Sequence, residues 1–230
     1  MQNSKYSKVL TVILVIAIIV IIGLLVFVGL DWYKTYITGA DSEGGIHDFD
    51  GYINNVLNKS EQNNQNNENN TEVIEPNINV ENTVQNTTGG EGSSNTGLTY
   101  KGYNVVGKIE IPKTDVSYVI LDKVTPKSLE TSIGLMYGAG INQVGNTVLA
   151  GHNFRNGTFF SNNKRLEEGD KIYLTDMDGN RVTYEIYKTY TTTPQDFSYA
   201  TRDTNGKREI SLTTCTDDTT NRLIIWAVEE

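Results

Sequence analysis

The chain of 230 residues holds a single cysteine, Cys215, in the stretch SLTTCTDDTTNRLIIW at 211–226, and Arg222 follows it within the same stretch. Two histidines complete the inventory of groups able to shuttle protons near neutrality: His47 and His152, the latter in NTVLAGHNFRNGTFF. These residue types suit acyl transfer. A thiolate attacks a carbonyl, an imidazole holds the thiol proton and delivers it to a leaving amine, and a guanidinium stabilises the oxyanion that forms between the two steps. With ordinary thiol and imidazole acidities the thiolate–imidazolium pair is only about 1% of the neutral pair, and about 2.7 kcal/mol of differential stabilisation would equalise the two. The competing reading of Cys215 is a small buried hydrophobe, and that of His152 is a surface or structural residue at a strand end.

Strands must bring these groups together. On a strand over Glu209–Cys215 alternate residues face opposite sides, so Ile210, Leu212 and Thr214 share one face while Ser211, Thr213 and Cys215 share the more polar one. If Arg222–Val228 returns antiparallel after the 216–221 loop, Arg222 begins beside the end at which Cys215 stops. His152 closes a third expected strand, Asn146–Gly151, and Gly151 permits close backbone approach there.

These segments belong to a β-rich region, 98–230, in which β-branched and aromatic runs alternate with turn residues. Further strands are expected at Val105–Ile111, Val116–Leu121, Gly134–Tyr137, Lys171–Thr175 and Arg181–Thr192, with a hairpin through Asp178-Gly179-Asn180 and short helices at Pro126–Ser132 and Thr158–Leu166. Eight strands in so short a span predict a mainly β fold, a closed barrel that leaves no exposed edge.

The remainder of the chain has a different character. Val9–Leu30 is apolar apart from Thr11, and at about 1.5 Å per residue it reaches roughly 33 Å, enough to cross a bilayer core of about 30 Å. It is too long for the apolar region of a cleaved signal peptide, so an uncleaved signal anchor is expected at 9–30. Lys5 and Lys8 before it and Asp31 after it predict a cytoplasmic 1–8 and an extracellular remainder, at the cell membrane. The stretch 31–97, rich in Asn, Glu, Gln and Gly, predicts a disordered tether, because it offers little apolar surface to offset the entropy of ordering. Of the net charge of −9, residues 41–97 carry ten acids against Lys59 alone, so the β-rich region is nearly neutral and has no basic excess for nucleic acid.

Ser211-Leu212-Thr213-Thr214-Cys215 resembles the TLxTC signature of the sortases, membrane-anchored cysteine transpeptidases, with Ser in place of the first Thr. Arg222 opens the next strand as the family arginine does, and Ala150-Gly151-His152 is similar to the segment bearing the catalytic histidine. The resemblance spans 98–230 and implies an eight-stranded sortase-type barrel with Cys215, His152 and Arg222 catalytic and Thr214 supporting. It further implies cleavage of an LPxTG-like signal on secreted proteins through a thioester, then transfer to an amine of a peptidoglycan precursor. The short 193–208 segment and the single amino-terminal anchor look more like class A, or the related D or E types, than B or C. No cofactor or metal is expected, and calcium modulation is left open. The same site could instead release the acyl group to water, and a tethered binding barrel without chemistry is the alternative from another class.

Overall fold

A computed structural model describes residues 3–40, 42–67 and 97–230. Helix α1 (Asn3–Ala40) contains the apolar span Leu10–Leu30, whose mean hydropathy of 3.5 and length of 21 residues suffice to cross a membrane. None of that span is buried against the rest of the protein.

Helix α2 (Ser42–Asn67) corrects the expectation of a disordered tether over 31–97 for its first part; residues 68–96 of that tether lie outside the described residues. Polar composition concealed an apolar stripe. Ile46, Phe49, Tyr52, Ile53, Val56 and Leu57 recur at three- and four-residue spacing, which places them on one helical face. Phe49 and Ile53 are buried against Tyr100, Val105, Val119 and Leu121 of the barrel wall. Asp50 forms an ion pair with Lys108 at 2.6 Å, and the Lys108 ammonium also lies 5.7 Å from the centre of the Phe49 ring. Gly45 lets the helix approach closely, since a Cβ there would meet the Tyr100 ring at 2.9 Å.

The barrel follows: β1 (Thr99–Tyr100), β2 (Tyr103–Ile111), β3 (Val116–Leu121), the short helix α3 (Pro126–Leu129), β4 (Ile133–Tyr137), β5 (Gly145–Ala150), β6 (Lys171–Asp176), β7 (Arg181–Thr192), β8 (Arg208–Cys215) and β9 (Arg222–Glu229). The sheet order is β1-β2-β3-β4-β5-β8-β9-β7-β6, and pairing of β2 with β6 closes the eight strands β2–β9 into a barrel. All eight expected strands are present within two residues of their expected bounds. Inward-facing Ile109, Ile120, Leu149, Ile172, Ile210 and Leu212 belong to one buried core. Thr125 caps α3 through a capping box with Ser128, whereas 158–166 holds only one 3-10 turn, Asn163–Arg165. The β6–β7 hairpin is fixed by the Asp176 carboxylate, which accepts the amide hydrogens of Asp178 and Asn180 at 3.0 and 2.9 Å.

The docked helix gives the first test. Phe49→Ala is expected to weaken seating of α2 by about 3 kcal/mol, in the range for removing a buried aromatic ring. Hydrogen exchange should then accelerate across 45–57 while the β8–β9 ladder stays protected; unchanged exchange in α2 would count against the docking.

Candidate active site

Cys215 and Arg222 are direct cross-strand partners at the open end of the β8–β9 pair. Cross-strand partners face the same side of a sheet, so the register aims guanidinium and thiol together. An Arg222 Nη1 hydrogen is donated to Cys215 Sγ at 3.2 Å. Cys215 is half-buried and forms no disulfide. As strand parity requires, it shares its face with Ser211 and Thr213, outside the core that takes Ile210 and Leu212.

β5 supplies the imidazole. It runs parallel to β8, with Ala150 opposite Thr213, and the Gly151 amide extends the ladder by donating to the Thr213 carbonyl at 3.2 Å. Any side chain at 151 would collide with Ile133 and Phe160, whose atoms lie 2.6 and 2.8 Å from a Cβ placed there. Glycine therefore lets the strand end settle onto the core immediately before His152. The His152 ring lies 4.8 Å from that of Phe154, tilted 33°. Burial pushes its pKa below the ordinary value, and the Glu130 carboxylate partly offsets this. His47 is exposed on α2 and makes no part of the constellation.

Asn153 was not among the residues singled out by sequence. Its side-chain amide donates to the Cys215 carbonyl at 3.0 Å and to the Asp217 carboxylate at 2.9 Å. The residue after the histidine thus grips the backbone of the cysteine, fixing the two strand ends relative to each other. Only its place beside His152 could have marked it. Asp217 also pairs with Lys164 at 2.6 Å, and these contacts hold its pKa below the usual carboxylate value, Lys164 contributing most. Asp218 is occupied within its own loop, accepting from the Thr220 amide at 3.1 Å and the Thr220 hydroxyl at 2.8 Å. Both acids beside the thiol are therefore engaged by other partners.

A cleft of about 180 Å³ opens at Cys215, lined by Asn153, Phe160, Lys164, Thr191, Thr214, Thr216, Asp217 and Leu223 as well. Thr214 Oγ1 is buried there with no hydrogen-bond partner. Among the described residues no group of three or more His, Cys, Asp or Glu side chains forms a metal cage.

The sortase domain family model matches residues 109–230. The chain belongs to the sortase family. It is 32% identical over 124 residues to Sortase A of Bacillus anthracis, covering 53% of this chain and 58% of that protein. Against Sortase A of Listeria monocytogenes it is 31% identical over 123 residues, covering 52% and 54%. The matched part thus spans less than two thirds of either relative. Among solved structures, a Sortase D5 transpeptidase of Clostridium perfringens superposes with a TM-score of 0.51 at 29% identity, over 55% of this chain and 79% of that one. The barrel is a sortase barrel, and Cys215, His152 and Arg222 all lie within the matched region.

Burial of His152 makes a signed prediction. Its charged form is disfavoured in the fold, so the folded protein binds that proton more weakly than the unfolded chain, and stability is lost as pH falls through about 6.5 toward the lower folded pKa. Titration of the His152 ring by NMR should give a midpoint below 6.5, moving lower still in Glu130→Gln. A midpoint at or above 6.5 would contradict the burial argument.

Proposed function

We propose that this sortase is a cysteine transpeptidase that anchors proteins to the cell wall, held at the membrane by α1 with its barrel outside the cell. The observation that carries the reading is the Arg222–Cys215 contact of 3.2 Å at the paired strand ends, with His152 fixed at the end of the strand next to β8. Cys215 Sγ attacks the carbonyl carbon at the scissile bond of an LPxTG-like signal on a secreted protein. The thiol proton passes to His152, the carbonyl π pair becomes an oxyanion, and Arg222 donates to that oxygen. Thr214, adjacent to the nucleophile in the strand and lining the same cleft, supports the position of Cys215. Collapse of the intermediate expels the amine, which takes its proton from His152, and leaves a thioester on Cys215. An amine of a peptidoglycan precursor then attacks the thioester, gives its proton to His152, and restores the thiol as the new amide forms.

Because burial lowers the His152 pKa, imidazolium is scarce at neutral pH. The scheme works through a small thiolate–imidazolium fraction, with the imidazole free to accept a proton from either the thiol or the second amine. Its steps use only side chains of this chain, without a cofactor.

The test incubates the protein with an LPxTG-like peptide and an amine acceptor and follows products by mass. A thioester adduct and an amine-joined product are expected, both absent in Cys215→Ala. Hydrolysis alone at saturating amine would mark a sorting-signal hydrolase, and an unmodified peptide with slow alkylation of Cys215 would mark a binding barrel.

A further inference from the structure

A histidine that moves protons must have its ring aimed, and in catalytic triads a carboxylate does the aiming by accepting from one ring nitrogen. His152 has no such orienter. Among the described residues neither nitrogen of its ring has a hydrogen-bond partner, and Glu130 acts on it as a charge rather than as an acceptor. The side chain of Asn153, next in sequence, is engaged elsewhere: its amide by Cys215 and Asp217, its oxygen by the Arg155 amide hydrogen at 3.0 Å. Among the described residues, the one directional contact of the imidazole is the tilted stack on Phe154, with 4.8 Å between ring centres. At that spacing an aromatic pair gains from its relative orientation as well as from buried area.

The loop that follows β5 holds Phe154 in place. Its amide hydrogen is donated to Ser161 Oγ at 3.0 Å, and the Phe160 amide hydrogen to the His152 carbonyl at 3.1 Å, so residues 152 and 154 are both tied to the returning limb of the loop. Asn153 and Phe159 form an antiparallel bridge between those ties. The Phe154 ring lies 5.8 Å from that of Phe159, which is fully buried and lies in turn 5.0 Å from the ring of Tyr118. Phe159 stands at φ 50°, a left-handed conformation that a bulky residue rarely adopts and keeps only when its surroundings impose it. The Tyr118 hydroxyl accepts its amide hydrogen at 3.1 Å and is one of those constraints. The row Tyr118, Phe159, Phe154 therefore leads from the barrel core to the imidazole. Phe154, at its outer end, is 39% exposed and stands outside the buried core that contains the other two.

We propose that Phe154 is a positioning residue that aims the His152 ring, doing by stacking what a carboxylate does in a triad, without taking part in bond making. The stack rests on geometry alone, and its consequence for turnover rests on the transpeptidase reading. Two measurements on the full chain in detergent micelles keep these apart: the ring-proton NMR shifts of His152, and kcat and donor KM with a saturating amine acceptor. In Phe154→Ala the His152 ring protons should lose the shift imposed by the neighbouring ring current, and kcat should fall about tenfold while donor KM stays within about twofold. Phe154→Tyr, which restores the ring, should recover most of the lost kcat. Phe154→Leu, which restores apolar bulk without a ring, should not, and it also serves should the alanine variant fail to fold. Unchanged His152 shifts in both the alanine and the leucine variants would overturn the stack. Altered shifts with an unchanged kcat, or full recovery by leucine, would overturn the positioning role. A wild-type protein that forms no thioester would overturn that role together with the transpeptidase reading, and the NMR shifts would still decide the stack.

Discussion

Parallel pairing of β5 with β8, continued by the antiparallel β8–β9 hairpin, is the constraint on which the site depends. One row of this three-strand ladder runs Ala150, Thr213, Ile224, and the next residues along carry Gly151 and His152 on one side, Cys215 in the centre and Arg222 on the other. A slip of one residue in either pairing would turn a candidate catalytic side chain to the opposite face of the barrel. The core enforces the register: Leu149, Leu212 and Ile225 are inward-facing neighbours in the same strands and would be driven outward by the same slip.

Around that ladder, charge is arranged so that Arg222 remains the thiol's cationic partner while the neighbouring carboxylates are occupied. Asp217 is held by Lys164 and Asn153, and Asp218 by Thr220 within its own turn. Burial lowers the His152 pKa, which in the proposed scheme suits a group that both receives and returns a proton. The half-buried thiol opens onto a small cleft beside this paired strand end.

Much of this was legible in the sequence because strands report themselves through alternation and turn residues. Parity placed Cys215 off the core face, and the short loop to Arg222 implied the pairing. Three features were hidden for separate physical reasons. The parallel neighbourhood of β5 and β8 joins residues some sixty positions apart, and no local pattern encodes it. Asn153 acts by reaching a backbone carbonyl across that distance, so its type alone says little. α2 was masked by composition: its Asn- and Glu-rich surface outweighs a narrow stripe centred on Phe49 and Ile53, whose meaning depends on the apolar patch at Tyr100, Val119 and Leu121 that receives it.

The central claim is that His152 and Arg222 act on Cys215 as one unit assembled by the ladder. Comparing kcat/KM for His152→Ala, Arg222→Ala and the double variant tests it most directly, because groups that serve a single transition state show strongly non-additive losses. The account predicts a double variant scarcely worse than the more damaging single one. Losses that simply multiply would contradict it, showing that the two residues contribute independently despite their shared strand ends.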